Sequence, residues 1–177
     1  MLKKIVIIGP ESTGKSTLCE QLAGHYQTLW CPEYAREYLS SRGNNYQYDY
    51  SDLLAIAKGQ IALEEKYERQ VNSPLLFIDT DMYVMKIWSE FVYGKCHRYI
   101  LDQVAKRKYD LYLLCNIDLP WISDELREYP DIETRKKLYK VYHDIMVNQA
   151  VPWIDIRGAK RDRLRIATAA VDRLLSE

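Results

Sequence analysis

Short apolar runs alternate with longer amphipathic stretches along this chain. The runs at residues 5–8 and 75–78 contain only apolar side chains, as is typical of strands that are buried on both faces of a parallel sheet. Further short runs lie at residues 28–31, 111–115 and 153–156. The sequence therefore predicts an α/β protein with a mainly parallel, five-stranded sheet.

Apolar residues at helical spacing fill the segments between the predicted strands. The stripes are Leu18, Leu22 and Tyr26; Leu53, Ala57 and Ile61; and Leu164, Ala167, Val171 and Leu174. Ser51 is the predicted cap of the long helix that carries the second stripe. Residues 133–148 and 160–175 are predicted helices as well, so we expect helices to cover the sheet.

Composition and charge argue against several classes of protein. The 177 residues are 47% hydrophobic and 28% charged, which is typical of a globular chain, and this length favours a single domain over residues 1–177. The 25 basic residues balance 25 acidic ones, whereas non-specific nucleic-acid binding normally needs a basic excess. No apolar run approaches the about 20 residues that span a bilayer. We therefore expect neither a nucleic-acid partner nor a membrane protein.

The cysteines favour a reducing location. Cys19, Cys31, Cys96 and Cys115 form no Cys-x-x-Cys pair, and the three histidines show no ligand spacing. A structural zinc site is therefore not expected. We expect free, buried or half-buried thiols in a cytoplasmic protein.

The strongest chemical signal is a phosphate-binding loop at residues 9–16. It reads Gly-Pro-Glu-Ser-Thr-Gly-Lys-Ser and fits G-x-x-x-x-G-K-[ST] between a predicted strand and a predicted helix. Its glycines let successive N–H groups surround phosphate oxygens, Lys15 adds a charge for the β- and γ-phosphates, and Ser16 adds a hydroxyl ligand for Mg²⁺. The predicted nucleotide-binding residues are Gly9, Glu11, Ser12, Thr13, Gly14, Lys15, Ser16 and Thr17, and Lys15 is also a predicted catalytic residue.

A second ligand for the metal follows the apolar run at residues 75–78. Asp79 ends this predicted strand, as a Walker B aspartate does, and beside a phosphate loop it predicts a Mg²⁺ ligand that acts with Ser16. Taken alone, Asp79 could equally cap a helix. Asp81 is ambiguous, since it could be a cap, a group that supports the metal site or a contact to the acceptor substrate.

The nucleotide is predicted to be ATP rather than GTP. Asp79 does not begin the Asp-x-x-Gly of a GTPase switch, and residues 116–118 do not fit the Asn-Lys-x-Asp of guanine recognition. The size of the chain is closer to that of a small-molecule kinase than to that of a motor.

Such a kinase needs a base near the acceptor hydroxyl and further cations around the transferred phosphoryl group. Glu33 follows the second predicted strand, so we expect it at the carboxyl end of the sheet, where α/β proteins bind ligands. It is the predicted base or hydroxyl-orienting group, and Arg36 is a predicted substrate contact one helical turn later. A solvent-exposed Glu33–Arg36 ion pair would be the simpler interpretation of these two residues alone.

An irregular zone at residues 119–135, which we call the lid segment, carries the remaining candidates. Trp121 and Asp124 are predicted to contact the acceptor. Arg127 and Arg135 are predicted to neutralise charge on the γ-phosphate when the segment closes and excludes water. On composition alone, an exposed charged loop explains the segment equally well.

Several segments recur together, in this order, in one known family. They are Gly9-Pro10-Glu11-Ser12-Thr13-Gly14-Lys15-Ser16, Pro32-Glu33-Tyr34-Ala35-Arg36-Glu37-Tyr38, Phe77-Ile78-Asp79-Thr80-Asp81 and Pro120-Trp121-Ile122-Ser123-Asp124-Glu125-Leu126-Arg127. Together they resemble the NadR-type ribosylnicotinamide kinases over nearly the whole chain. The resemblance implies a P-loop kinase-like three-layer sandwich, present as the kinase domain alone, in which ATP phosphorylates the 5′-hydroxyl of ribosylnicotinamide to give nicotinamide mononucleotide.

Two positions depart from the family pattern. Pro32 stands where family members carry a tryptophan that stacks on nicotinamide, and Glu125 stands where they tend to have glycine. Trp30, Trp88 or Trp121 could stack on the base instead.

Two other functions stay open. The first is a deoxynucleoside or nucleotide kinase, which would have the same phosphate loop, metal ligands and lid segment but a different pocket for the base. The second is a non-catalytic, nucleotide-gated binding protein, which would use the fold to bind a partner or an anionic lipid. Only the basic cluster at residues 157–165 supports the binding protein, and an exposed helix face explains that cluster as well. The expected partners are ATP and a small nucleoside-like acceptor, and a homo-oligomer is left open.

Overall fold

Five parallel strands form one sheet in the computed structural model, which describes residues 1–43, 46–123 and 127–176. The strands are β1 (Lys3–Ile8), β2 (Trp30–Cys31), β3 (Leu75–Asp79), β4 (Leu111–Cys115) and β5 (Trp153–Ile156), in the spatial order β2-β3-β1-β4-β5. The pairings β1–β3, β1–β4, β2–β3 and β4–β5 are parallel. The predicted parallel sheet is thereby confirmed.

Helices connect the strands and cover the sheet. They are α1 (Lys15–Tyr26), α2 (Tyr34–Ser40), α3 (Tyr50–Gln70), α4 (Met82–Tyr93), α5 (Arg98–Lys106), α6 (Ile132–Asn148) and α7 (Lys160–Ser176). The cap of α3 is Asp49 rather than the predicted Ser51, because the Asp49 carboxylate accepts the N–H groups of Ser51 and Asp52. Within the described ranges, no helix is both long enough and apolar enough to cross a bilayer.

Alternate residues of β1 face two separate helix layers. Ile5 and Ile7 pack with α1 and α7, whereas Val6 and Ile8 pack with α4 and α6. All four side chains are fully buried, and burial of each stabilises the fold by about 1.5–3 kcal/mol. This is the three-layer sandwich that the sequence resemblance implies.

A third apolar cluster joins α2, α3, α4 and α5 at one side of the sheet. Gly59 on α3 allows α2 to approach closely, since a Cβ atom at this position would lie 1.9 Å from the ring of Tyr34. The close approach matters for the site because Glu33 immediately precedes α2.

The cysteines are free thiols, as predicted. Cys19, Cys31 and Cys115 are buried and Cys96 is half-buried. Burial raises the pKa of Cys31 and of Cys115 to about 12. Thiols with such a pKa stay protonated at neutral pH and behave as small apolar side chains.

The order of the strands determines where a ligand can bind. The chain moves from β1 to β2 and β3 on one side of the sheet and then to β4 and β5 on the other. In α/β proteins, the crevice outside the carboxyl end of the strand at such a reversal is the usual ligand site. Here that strand is β1, and the phosphate loop follows it directly.

Candidate active site

The phosphate loop depends on two glycines with positive φ. Gly9 has φ 140° and Gly14 has φ 78°. A Cβ atom on Gly9 would lie 2.7 Å from the carbonyl oxygen of Cys115 at the end of β4, so a side chain cannot be accommodated there. Gly14 is the N-cap of α1 and provides no side-chain cap, which leaves the first N–H groups of α1 to bind an anion.

Hydrogen bonds hold the curve of this loop. Thr13 Oγ1 donates to the carbonyl oxygen of Pro10 at 2.7 Å, and Lys15 Nζ donates to the same oxygen at 3.0 Å. Arg163 on α7 donates from Nη1 to the carbonyl oxygen of Thr13 at 2.8 Å and forms an ion pair with Asp118. Arg163 belongs to the basic cluster interpreted from the sequence as an exposed helix face, but it is only 4% exposed and braces the phosphate loop.

Ser16 and Asp79, the two predicted Mg²⁺ ligands, lie in contact with each other. Ser16 Oγ donates to Asp79 Oδ2 at 2.5 Å, across the gap between α1 and the end of β3. Burial raises the pKa of the Asp79 carboxyl, and the Lys15 charge and the Ser16 hydrogen bond oppose this rise. Among the described residues, Asp79 Oδ1 is buried with no hydrogen-bond partner.

This pair fits Mg²⁺. Hydroxyl and carboxylate oxygens are ligands that Mg²⁺ prefers, and it usually binds only one or two protein carboxylates together with phosphate oxygens and water. No group of three or more His, Cys, Asp or Glu side chains in the described part of the chain could hold a metal by itself. A cation here would therefore depend on the nucleotide for its remaining ligands.

A cavity of about 310 Å³ lies in front of the phosphate loop. Residues 9–17 form one side of it, and Glu33, Arg36 and Arg127 also line it. The structure thus brings these three predicted site residues to the phosphate loop. Six aromatic residues, which we call the aromatic wall, line the same cavity: Tyr46, Tyr48, Trp88, Phe91, Tyr129 and Tyr142.

Glu33 lies at the N-terminus of α2, facing the cavity. Its Oε2 atom is 3.6 Å from Arg36 Nε, so the ion pair and the cavity position, which the sequence offered as alternatives, occur together. Gln60 on α3 fixes this turn. Its Oε1 atom accepts the N–H of Tyr34 at 2.7 Å, and its Nε2 atom donates to the carbonyl oxygen of Pro32 at 3.4 Å.

Sequence reasoning missed Gln60, although a signal was present. Gln60 is 1% exposed and lies beside Ala57 and Ile61 on the apolar face of α3. A polar residue on such a face needs a hydrogen-bonding partner. Here its partners are the two residues that flank Glu33, so Gln60 positions Glu33 without lining the cavity.

The described parts of the lid segment contact the phosphate loop. Ser12 Oγ accepts the N–H of Ile122 at 2.8 Å, and the Glu11 carboxylate accepts the N–H groups of Glu128, at 3.0 Å, and of Tyr129. The predicted phosphate-binding residues Glu11 and Ser12 therefore direct their side chains to the lid segment.

The two predicted lid arginines differ in position. Arg127 lines the cavity and donates from Nη1 to the carbonyl oxygen of Ile122 at 2.6 Å. Arg135 is 3% exposed, does not line the cavity and donates from Nη2 to the carbonyl oxygen of Leu119 at 3.3 Å. Burial lowers the pKa of Arg135. In this arrangement Arg135 holds the base of the lid segment and lies outside the cavity lining.

The two other predicted acceptor contacts of the lid segment are Trp121 and Asp124. Trp121 is half-buried outside the lining, and Asp124 lies outside the described residues. Trp88 is the tryptophan of the aromatic wall, whereas Trp30 packs against the core beneath α1. Of the three tryptophans considered for the base, Trp88 is the one in contact with the cavity.

Asp81 has a structural role in this arrangement. It is 2% exposed and does not line the cavity. Its Oδ1 atom accepts the N–H of Tyr83 at 3.0 Å and so caps α4, and its Oδ2 atom accepts the hydroxyl of Tyr112 at 2.8 Å. Burial raises the pKa of Asp81 to about 7. Of the alternatives from the sequence, the structure supports the helix cap and not the acceptor contact.

The aromatic wall is joined to the lid segment by hydrogen bonds. Tyr48 Oη accepts the Nε1–H of Trp88 at 2.9 Å and donates to Glu128 Oε2 at 2.9 Å. The rings of Tyr48 and Trp88 meet edge to face, with centroids 5.0 Å apart. Phe91 and Tyr129 also meet edge to face, at 5.2 Å. These contacts hold the rings together, and the rings give the cavity a largely apolar aromatic surface.

A family model described as an AAA domain matches residues 4–163. The chain belongs to this family. The matched range contains the phosphate loop, Glu33 and Asp79. The match excludes most of α7 but includes Arg163, which braces the loop.

The sequence is also similar to NadR. The trifunctional NAD biosynthesis/regulator proteins NadR of Salmonella typhimurium and Escherichia coli are each 28% identical to this chain over 166 residues, or 91% of it. The chain spans about 40% of the length of these curated relatives. The resemblance to NadR that the sequence motifs indicate is thereby confirmed.

Solved structures extend the likeness to the fold. A crystal structure of NadR in complex with NR superposes with a TM-score of 0.81 at 19% identity, over 99% of this chain and 50% of that one. NadR in complex with NAD and AMP-PNP gives 0.75 at 19% identity, over 98% and 49%. Thymidylate kinase from Ehrlichia chaffeensis gives 0.65 at 15% identity, over 97% and 98%. These matches establish the P-loop kinase-like fold.

Proposed function

We propose that this protein is a Mg²⁺- and ATP-dependent kinase that phosphorylates the 5′-hydroxyl of ribosylnicotinamide to give nicotinamide mononucleotide. The observation that carries the proposal is a single cavity that the phosphate loop, Glu33 and the aromatic wall line together. The similarity to NadR, whose name refers to NAD biosynthesis and whose structures contain NR or AMP-PNP, supports both the donor and the acceptor.

The donor half would bind the phosphates of ATP. N–H groups of the loop and of the first turn of α1 would surround the phosphate oxygens, and Lys15 would exchange the Pro10 carbonyl for a β- or γ-phosphate oxygen. Ser16 and Asp79 would hold Mg²⁺, which neutralises charge on the β- and γ-phosphates when it is bound. Arg127 would add a second positive charge at the transferred group.

The acceptor half would orient the ribose. In the reaction, the 5′-oxygen forms a bond to the γ-phosphorus, the bond from that phosphorus to the oxygen bridging it to the β-phosphate breaks, and the hydroxyl proton passes to the Glu33 carboxylate. The transition state is loose and demands little of a base, so orientation of the hydroxyl is the larger contribution of Glu33. Arg36, which pairs with Glu33, would keep its carboxylate directed into the cavity.

The aromatic wall suits the base of this acceptor. The nicotinamide ring of ribosylnicotinamide is a flat cation, and aromatic faces attract such cations. Trp88 and Tyr48 supply ring surface, and the carboxylate of Glu128 accepts the Tyr48 hydroxyl at 2.9 Å beside it. Trp88 would thus replace the family tryptophan that is absent at Pro32.

A nucleoside panel tests the proposal. Purified protein with Mg²⁺ and ATP is offered ribosylnicotinamide, thymidine, deoxycytidine and thymidine monophosphate, and ADP release and product mass are recorded. The expected result is catalytic formation of nicotinamide mononucleotide, abolished in Lys15→Ala, which excludes a contaminating kinase. Higher kcat/KM with a deoxynucleoside or nucleotide would assign the other kinase class, and tight ATP binding without turnover on any acceptor would favour the binding protein.

A further inference from the structure

Glu11 occupies a position of the phosphate-loop pattern that permits any residue, yet its carboxylate binds two backbone N–H groups of the lid segment. Its Oε2 atom accepts the N–H of Glu128 at 3.0 Å, and its Oε1 atom accepts the N–H of Tyr129. Two consecutive N–H groups bound by one charged carboxylate fix both the position and the direction of the backbone. Glu11 therefore ties the phosphate loop to the part of the lid segment that lines the cavity.

The connection continues through side chains to the aromatic wall. The carboxylate of Glu128 accepts the hydroxyl of Tyr48, and Tyr48 accepts the indole N–H of Trp88, both at 2.9 Å. The main-chain carbonyl of Tyr48 accepts the hydroxyl of Tyr93 at 3.2 Å, which ties the same residue to α4. A series of hydrogen bonds thus runs from the phosphate loop through Glu128 to the aromatic wall.

We propose that Glu11 is a positioning residue that couples nucleotide binding at the phosphate loop to acceptor binding at the aromatic wall, through Glu128 and Tyr48. This inference rests on the proposed function, because it assumes that donor and acceptor share the cavity. If nucleotide and acceptor both favour the arrangement in which residues 127–129 are bound to Glu11, the first ligand to bind orders these residues. The second ligand then binds more tightly, because it does not have to order them again. Glu11 acts through other residues, and it need not touch either substrate.

Coupling is measured as the change in acceptor affinity when nucleotide is present. Calorimetry gives the Kd of the acceptor with and without AMP-PNP for the wild type, Glu11→Ala and Tyr48→Phe. The wild type is expected to bind the acceptor about fivefold or more tightly with AMP-PNP, since coupling factors usually lie between about 5 and 150. Both variants should reduce this factor to below about twofold. Tyr48→Phe keeps the aromatic ring and removes only the hydroxyl, so any effect comes from the lost hydrogen bonds to Glu128 and Trp88 and not from lost ring surface.

Matched controls separate positioning from general damage. Glu20 is an exposed carboxylate on α1, close in sequence to the phosphate loop, and Glu20→Ala should keep the full coupling factor. Glu11→Gln keeps one acceptor oxygen and should retain part of the coupling. Full coupling in Glu11→Ala, or none in the wild type, would overturn the inference.

A second readout needs no acceptor. Hydrogen exchange of the Glu128 and Tyr129 amides reports directly on their bonds to Glu11. Exchange in the AMP-PNP complex is expected to be at least about tenfold faster in Glu11→Ala than in the wild type or in Glu20→Ala. Unchanged exchange would overturn the inference even if ribosylnicotinamide is phosphorylated. Faster exchange in a protein that does not phosphorylate ribosylnicotinamide would support the link and overturn only the proposed acceptor.

Discussion

The two sides of the cavity are built in different ways. The donor side is mainly one continuous segment, in which β1, the phosphate loop and α1 follow one another. Asp79, Arg127 and Arg163 join it from other parts of the chain. The acceptor side combines the turn before α2, residues 46–48, α4 and the lid segment, which are far apart in the chain. The donor side depends mainly on backbone N–H groups, whereas the acceptor side depends on side chains that packing brings together. Damage to packing should therefore affect the acceptor side first.

The largest effect is expected from the donor side. Lys15→Ala removes a charge at the transferred phosphate, and Asp79→Asn weakens the hold on Mg²⁺. Each should lower kcat by about a thousandfold, since preorganised charge is the main source of catalysis in phosphoryl transfer. Lys160→Ala, an exposed lysine on α7, is the control and should leave kcat unchanged. Steady-state ADP release measures the effect, and turnover of either variant within about threefold of wild type would contradict the site.

Glu33→Gln should affect the acceptor side alone. It keeps the shape and one oxygen of the side chain but removes its charge. We expect kcat to fall by about a hundredfold, the lower end for a positioned acid–base group, with an unchanged Kd for AMP-PNP. Glu37→Gln changes an exposed carboxylate one turn along α2 and should behave as wild type. Unchanged turnover in Glu33→Gln would leave Glu33 as no more than a surface ion-pair partner of Arg36.

Alanine substitutions at two glycines, Gly59 and Gly24, test whether damage to packing affects the acceptor side more than the donor side. Gly59→Ala would press a methyl group onto the ring of Tyr34 and displace α2, whereas a Cβ atom added at Gly24 on α1 would meet no atom within 4 Å. Gly59→Ala should destabilise the fold by about 1–3 kcal/mol and lower kcat/KM for the acceptor several-fold, with little change in AMP-PNP affinity. Gly24→Ala should stabilise the fold by up to about 1 kcal/mol. Urea unfolding gives the stability of each variant, and kinetics and calorimetry give its acceptor kcat/KM and its AMP-PNP affinity. Equal losses of acceptor kcat/KM and of AMP-PNP affinity in Gly59→Ala would contradict the difference between the two sides.

Replacing Asp81 with asparagine should leave turnover unchanged but should change how the stability of the fold depends on pH. Because burial raises its pKa to about 7, the folded state binds this proton more tightly than the unfolded chain. The stability it contributes is full below about pH 4 and is lost as the pH rises through about 7, by no more than about 4 kcal/mol. The unfolding free energy of wild type relative to Asp81→Asn should therefore fall between pH 4 and pH 7.

Asp131 provides a control of opposite sign for this pH effect. It caps α6, and the N–H of Thr134 holds its pKa below the usual range. Its contribution should be present above about pH 4 and be lost as the pH falls. Wild type relative to Asp131→Asn should thus lose stability on acidification. The same trend for Asp81 and Asp131 would contradict the assigned burial of Asp81.

The fold and the donor side could largely be predicted from the sequence. Strands buried on both faces are apolar without alternation, and Gly9, Gly14, Lys15 and Ser16 recur at fixed spacing because a backbone loop around phosphate tolerates few alternatives. Asp79 could be proposed as a metal ligand because it ends a predicted strand in a chain that also carries a phosphate loop. Such signals are local, so a single sequence reveals them.

The acceptor side could not be predicted in the same way. The sequence offers Trp88 only as one of three tryptophans, and it does not point to Tyr48 or Glu128. These three residues meet only after α3, α4 and the lid segment have packed. Asp81 follows Asp79 by two residues, but the capping of α4 buries it. Arg163 is separated by 150 residues from the carbonyl of Thr13 that it binds. The missing information in each case is tertiary contact, which periodicity and motif spacing do not contain.

A crystal structure with AMP-PNP, Mg²⁺ and ribosylnicotinamide bound together tests the central claim most directly. The account predicts the 5′-oxygen about 3–3.5 Å from the γ-phosphorus, a near-attack distance. Glu33 should lie within hydrogen-bonding distance of that oxygen, Mg²⁺ should contact Ser16, and the nicotinamide ring should lie against Trp88. Ribosylnicotinamide bound outside this cavity, or with its 5′-oxygen directed away from both Glu33 and the γ-phosphate, would contradict the account.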